Sequence, residues 1–313
     1  MIPQKRILVV VDPTAAEQPA VNRAAWLAKQ IPSHIELFVC DQSAATGSRI
    51  GSKPALLAAA RDRLLAGHVR RLQALAEPLL ASGLQVDVDA RSDSPLHAGI
   101  VRKAIESGAD LVLKDTHYVA PLRRSLFSNT DWNLIRLCPS ALWLVKPHAI
   151  SATPCVLAAI DPFHEHDKPA ELDAKIMRTA EELAAGVNGD LHLFHGVDLA
   201  PLIAASGDGL SIPAPMPPLD LMDILRKEHK DAVMALAKAH GVSPARVHVE
   251  EGFVGHSLTE LADGLHADIV VMGAISRSGL KRLFIGSMAE SVLDRLNCDL
   301  LLVKPNGMPA NAD

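Results

Sequence analysis

The groups in this sequence best placed to do chemistry form a glycine-bearing loop, Gly273-Ala274-Ile275-Ser276-Arg277-Ser278-Gly279, which runs on to Gly286-Ser287-Met288-Ala289-Glu290. It follows an apolar run ending at Met272, and a helical pattern continues through Val292, Leu293 and Leu296. A glycine at 273 frees the backbone as it leaves a strand and admits a ligand close to the main chain. Gly286-Ser287 would open a helix, where unpaired N–H groups and the positive end of the dipole suit an anion such as phosphate. Ser287 offers a hydroxyl donor or a plain N-cap, and Arg277 and Lys281 supply mobile positive charge. A second constellation is Asp161-Pro162-Phe163-His164-Glu165-His166-Asp167. His164 and His166, with carboxylates beside them, have the composition of a zinc or other divalent-ion site; the plain alternative is a solvated loop. No G-x-x-x-x-G-K-[ST], no G-x-S-x-G and no nucleophile–base–orienter set is present, so rapid ATP turnover is not expected.

Internal repetition says which elements must position these residues. Ala109-Asp110-Leu111-Val112-Leu113 recurs as Ala267-Asp268-Ile269-Val270-Val271, and Leu142-Trp143-Leu144-Val145-Lys146-Pro147 recurs as Leu300-Leu301-Leu302-Val303-Lys304-Pro305, both at a shift of 158. Upstream, Ile7 to Asp12 matches Val156 to Asp161 at a shift of 149, and the difference, 158 − 149 = 9, measures insertions in the second copy. The chain thus reads as two tandem domains, 1–147 and 155–306, joined across His148 to Pro154. Strands are expected at 7–11, 35–40, 84–90, 110–114 and 141–145 in the first copy, and at 155–160, 191–195, 246–251, 268–272 and 299–303 in the second. Most are continuous apolar runs, as in parallel strands buried on both faces. Amphipathic helices lie between them, with Leu65, Val69, Leu72, Ala76 and Leu79 on one face in the first copy and Leu221, Leu225, Ala232, Val233 and Leu236 in the second. Alternation of this kind gives an α/β fold of two doubly wound, Rossmann-like parallel sheets, whose ligands bind beyond the carboxyl ends of the strands. That places function just after the strands, around Asp12, Asp115, Asp161, Val197 and Gly273. The proline-bearing stretch Asp198 to Leu219 reads as a surface loop or lid, and its Pro/Leu/Met content motivates a rival reading as a module for an apolar or lipid-like ligand or a protein partner. His192 and His195 are expected as partly buried strand residues, and His117 and Tyr118 as loop residues.

Composition removes other classes. There are 31 basic and 36 acidic side chains among 313 residues, a formal charge of −5, with 3% aromatics. Such a chain lacks the basic face and stacking platform of a nucleic-acid binder. No run reaches the length of a membrane span, and the apolar stretch 7–11 is too short for a signal core. The four cysteines, Cys40, Cys138, Cys155 and Cys298, are scattered and lie in or beside apolar runs. They read as small buried hydrophobes in a reduced, cytoplasmic setting.

The loop at 273–287 resembles the nucleotide-binding motif of the universal stress protein family, Gly-x2-Gly-x9-Gly-(Ser/Thr). Gly273, Gly286 and Ser287 match it, and Ser276 stands where the family has its middle glycine, with a hydroxyl able to donate. Asp110-Leu111-Val112-Leu113-Lys114, Thr130-Asp131-Trp132 and Cys138-Pro139-Ser140 resemble the tandem, E-type members. The resemblance implies an adenine nucleotide (ATP, or ADP or AMP) held between the carboxyl ends of the first and fourth strands of the second copy, with Mg²⁺ or Mn²⁺ as companion to a triphosphate. It implies that Asp161, with Pro162, meets the nucleoside and that Val197 sits near the base. It implies that Met272, Gly273, Ser276, Arg277, Gly286, Ser287 and Met288 surround the phosphates. In the first copy Asp115, Tyr118, Ser128 and Asn129 replace the motif positions, so that copy is expected to lack the phosphate loop and to serve as the partner in an intramolecular pseudo-dimer, with further homodimerisation open. The function so implied is that of a stress-response sensor or regulator with slow hydrolysis at most; the rivals are the apolar-ligand module and a metal-dependent hydrolase using His164 and His166.

Overall fold

The computed structural model describes residues 4–42, 54–119, 124–126, 128–163, 170–197, 219–274 and 295–305. They fall into two compact units: Met1–Ala149 with Asp299–Asp313, and Ile150–Cys298.

In the first unit the strands are β1 (Lys5–Val10), β2 (Ser33–Asp41), β3 (Gln85–Ser92), β4 (Leu111–Asp115), β7 (Ala141–Val145) and β12 (Asp299–Val303). They lie in the order β3-β2-β1-β4-β7-β12. All neighbours are parallel except β7 and β12, which run antiparallel with Leu300 opposite Leu144 and Leu302 opposite Leu142. Val9, Leu37, Val112, Leu113 and Trp143 are fully buried in the centre of this sheet, which explains why its strands are apolar throughout rather than alternating. Helices α1 (Pro19–Gln30), α2 (Pro54–Ala81), α3 (Leu96–Ser107) and α4 (Asn129–Leu137) connect the strands. Leu72 and Ala76 are the deeply buried members of the apolar face expected on α2. His117 and Tyr118, expected in a loop, belong instead to a small antiparallel hairpin, β5 (His117–Val119) with β6 (Arg124–Leu126). Three-residue strands carry too little pattern to be seen in sequence.

The second unit repeats the plan. Strands β8 (Cys155–Ala159), β9 (Asp190–Val197), β10 (Val247–Glu251) and β11 (Ile269–Gly273) lie in the order β10-β9-β8-β11, all parallel. Helices α5 (Ala170–Gly186), α6 (Leu219–Ala239) and α7 (Val254–Gly264) join them. Helix α7 packs so closely on β9 that a Cβ at Gly196 would come within 2.4 Å of the Val254 side chain. β8 has β9 on one side and β11 on the other, so the chain reverses its direction of travel across the sheet at β8. The crevice of such a sheet opens at that point, beyond the carboxyl ends of β8 and β11.

Candidate functional site

The residues that follow β8 are held from three directions. The Asp161 backbone N–H donates to Asp173 Oδ1 on α5 at 3.0 Å, and the Asp161 carboxylate turns back to accept from the Phe163 N–H at 3.3 Å. Ile160, just before, donates its N–H to the Phe194 carbonyl at 3.0 Å and receives His195 Nδ1 on its own carbonyl at 3.0 Å. Phe163 lies against the His229 ring, 4.2 Å between centroids. Asp161 and Pro162 remain half-exposed at the end of this turn. Asp161 is therefore half-exposed on an anchored backbone.

Val197 closes β9 beside this turn; its side chain is buried, and its carbonyl accepts from the Gly252 N–H at 3.1 Å. Met272 and Gly273 end β11 on the other side of β8, both half-exposed. Asp161, Pro162, Val197, Met272 and Gly273 thus sit at the carboxyl ends of three adjacent parallel strands. The remaining residues of the expected nucleotide set, Ser276, Arg277, Gly286, Ser287 and Met288, lie outside the described residues, as do His164 and His166. Among the described residues there is no cluster of three or more metal-ligating side chains.

The reason for glycine at 273 differs from the one its position suggests. A Cβ there would meet Leu172 Cδ2 at 2.7 Å and Ile176 Cδ1 at 3.1 Å, both on the buried face of α5. Close helix–strand packing at this point asks for glycine before any ligand does.

The corresponding end of the first unit is filled by its own side chains. Asp115, which occupies the place of Gly273, reaches the N-terminus of α1 and accepts from the Ala20 N–H at 2.6 Å. Burial, the largest effect, pushes this carboxyl up to about 7. Ser128, in the place of Gly286, caps α4: its hydroxyl accepts from the Asp131 N–H at 3.2 Å, and its own N–H donates to Asp131 Oδ2 at 2.8 Å. Asp131 is fully buried and pairs with Lys114 Nζ at 2.7 Å. Carboxylates of the chain thus occupy both helix N-termini at which an external anion would bind. On the loop after β1, Asp12 binds the Thr14 hydroxyl at 2.6 Å, and Arg71 of α2 donates to the carbonyls of Pro13 and Ala15.

Other sequence expectations concern packing. Cys40, Cys138 and Cys298 are buried and Cys155 is half-buried, all as free thiols. Burial raises Cys40 to about 12 and Cys155 to about 11, so both stay protonated near neutrality and make poor nucleophiles. His195 is 2% exposed, deeper than a partly buried strand residue, and its partner His229 is 7% exposed. Sequence reading passed over His229, although its spacing from Leu225, Ala232 and Val233 places it on the apolar face of α6. Asp173, which fixes the Asp161 backbone, gave no local signal.

Comparison with known proteins agrees with this architecture. The family model described as Universal stress protein family matches twice, over residues 4–146 and 156–304. Universal stress protein E of Escherichia coli strain K12 is 31% identical over 308 residues, covering 96% of this chain and 94% of the relative. Universal stress protein E of Photorhabdus laumondii is 28% identical over 305 residues, covering 97% and 96%. Among solved structures, a protein of unknown function from Pseudomonas aeruginosa PAO1 superposes with a TM-score of 0.74 at 25% identity, covering 96% of this chain and 93% of that one. A universal stress protein from Archaeoglobus fulgidus superposes with a TM-score of 0.66 at 15% identity, covering 96% and 98%, which shows the fold. Two matches to one family model, on two units built to one α/β plan, place the chain in the universal stress protein family, as a member that carries the family's domain twice in tandem.

Proposed function

We propose that this protein serves the stress response by binding an adenine nucleotide in its second unit, beyond the carboxyl ends of β8 and β11. The observation that carries the reading is the contrast between the two copies. The first unit fills both anion-receptive helix N-termini with Asp115 and the Ser128–Asp131 cap. The second has glycine at the place of Asp115 and, in sequence, Gly286-Ser287 at the place of the cap. In this reading Asp161 and Pro162 orient the nucleoside, Val197 flanks the base, and Met272 and Gly273 form the wall nearest the phosphates. Ser276, Arg277, Gly286, Ser287 and Met288 receive the phosphates through N–H, hydroxyl and guanidinium donors, with Mg²⁺ or Mn²⁺ accompanying a triphosphate. The chain offers no P-loop lysine, and the role is binding and regulation, with slow hydrolysis at most. No described helix is long and apolar enough to cross a membrane, and we place the protein in the cytoplasm.

Isothermal titration with ATP tests the site. The wild type should bind, and Gly286→Asp, which sets a carboxylate where the phosphates would lie, should lose at least tenfold in affinity, about 1.4 kcal/mol. Equal heats from the two proteins would remove the assignment.

A further inference from the structure

Strand β9 is gripped by an imidazole pair on each of its faces. On one face His195 Nε2 meets His229 Nδ1 of α6 at 2.7 Å. On the other, His192 Nδ1 meets His248 Nε2 of β10 at 3.1 Å. The rings are nearly coplanar, 18° and 13° apart, with centroids at 5.0 and 5.4 Å. In each pair the centroid separation (5.0 and 5.4 Å) exceeds the N···N distance (2.7 and 3.1 Å) by the full sum of the two ring radii, the most that any arrangement allows, so the nitrogens face head-on. Head-on geometry suits one shared N–H···N proton; a chelated metal would need the two lone pairs to converge on one point.

The proton positions in the deeper pair follow from its neighbours. A carbonyl only accepts, so His195 Nδ1, 3.0 Å from the Ile160 oxygen, carries a hydrogen. With both rings neutral, His195 Nε2 is then an acceptor and His229 Nδ1 the donor. One extra proton can be held at His229 Nε2. A second turns His195 Nε2 into a donor aimed at the His229 N–H, and the bond becomes a repulsion between two cations in a buried place.

At the matching places copy one is built the opposite way, although the second unit has histidine–carboxylate pairs elsewhere, His240 after α6 with Glu181 at 2.6 Å and His256 with Glu260 at 3.2 Å on α7. At the α2 position that matches His229 stands His68, a match fixed by the fully buried pairs Leu72 with Val233 and Ala76 with Ala237. His68 meets a carboxylate, Asp41, at 2.7 Å. His34 meets Asp87 at 3.1 Å and His148 meets Asp299 at 3.0 Å. Protonation strengthens a histidine–carboxylate pair, whereas a histidine–histidine pair tolerates one extra proton and is broken by the second.

We propose that the two imidazole pairs make the second unit an acid-responsive module, in which protonation below neutral pH loosens α6 and the turn Ile160–Phe163 while the first unit keeps its grip. This rests in part on the nucleotide reading, because the same turn carries Asp161. His195 holds Ile160 on one side of Asp161, and His229 packs on Phe163 on the other. Among the described residues, the charged groups nearest the deeper pair in the chain are Asp161 and Asp173 at the turn, and Arg226 one turn earlier on α6, which is held by Asp223 and Glu251. Around the outer pair stand Asp190 and Arg246, paired with each other at 2.8 Å, and Glu250 on β10. Burial lowers both His192 and His248 below their ordinary values, so this pair is neutral at pH 7. A histidine whose folded value is depressed contributes stability above its unfolded value, about 6.5, and loses that contribution as the pH falls through it.

The test is amide hydrogen exchange on the full chain between pH 7.5 and 5.5, corrected for intrinsic rates, with no ligand. Protection of α6 and of residues 160–163 should fall on the order of tenfold, the equivalent of one titration unit. Protection of β1 and β2 should hold. His229→Asn places an amide N–H where Nδ1 stood, facing His195, without titrating, and should flatten the α6 response. An unchanged wild type, or the same fall in His229→Asn, overturns the proposal. If the variant fails to fold, ¹⁵N histidine spectra of the wild type decide: His195 must show a protonated Nδ1 and an unprotonated Nε2 at pH 7.5, and the reverse tautomer refutes the pair as drawn. ATP titration at both pH values then separates the two ideas. Absence of binding at either pH sinks the nucleotide reading and leaves the exchange result standing.

Discussion

Asp299 is the residue whose removal should cost most. It is fully buried at the start of β12, where its carboxylate accepts from Trp143 Nε1 at 2.8 Å, the Lys146 N–H at 2.9 Å and His148 Nε2 at 3.0 Å. It also pairs with Arg23 Nε at 2.8 Å, and Arg23 is 6% exposed. Asp299→Ala would leave that guanidinium buried without its anion, a loss of about 3–5 kcal/mol. For a unit of this size 1 kcal/mol moves the melting temperature by about 2–4 °C, so a drop of about 6–20 °C is expected. The assay is convenient because all three tryptophans, Trp26, Trp132 and Trp143, lie in the first repeat, so their fluorescence in a thermal or urea transition follows that unit. Replacing both partners, Arg23→Met with Asp299→Leu, should be milder than Asp299→Ala alone, because no charge is stranded. The pH dependence has a definite sign. Although burial opposes it, the bond and charge of Asp299 raise His148 above its ordinary value. A raised base contributes fully below its unfolded value of about 6.5 and loses the contribution as pH climbs through the folded value. A loss under about 1 kcal/mol from Asp299→Ala, or a double variant worse than the sum of its singles, would refute the reasoning.

Asp115→Asn should stabilise the first unit by about 1–2 kcal/mol at pH 8, because the amide oxygen can still accept from Ala20 while the buried charge disappears. The gain should shrink steadily as pH falls from about 7, where the native carboxyl takes up its proton, and vanish only near the unfolded value of about 4; urea titration at pH 8, 5.5 and 4 checks it. Gly196→Ala should destabilise the second unit by about 1–3 kcal/mol, since its new methyl would strike the branched Val254 side chain at 2.4–2.9 Å. Val254→Ala in the same chain should recover part of that loss, and far-UV circular dichroism melts of the three proteins would show no recovery if the contact is not the cause.

The repeat, the strand positions and the location of the candidate site were legible in sequence for one reason. Parallel strands buried on both faces are apolar end to end, so Ile7–Val10, Val156–Ala158 and Ile269–Val271 announce themselves without any partner being known. Once the order of strands and helices is read, the carboxyl ends follow, and Asp161, Val197 and Gly273 are picked out because they come next in the chain. The role of Gly273 was less accessible. Its fit against Leu172 and Ile176 depends on a helix about a hundred residues earlier in the chain.

The polar pairs were out of reach for the same reason. Asp299 and Trp143 are 156 residues apart, and His195 and His229 are 34 apart. A single aspartate ahead of an apolar strand carries no mark of a buried arginine, and a histidine on a helix face reads as one more half-buried side chain. Burial, charge and hydrogen bonding act over a few ångströms in space, while hydrophobic periodicity is written along the chain itself. The amino-acid order alone therefore settled the doubled α/β plan and the places where its strands end. Folding decided that the first copy fills two of its helix N-termini with its own carboxylates, and which histidines face a carboxylate or each other.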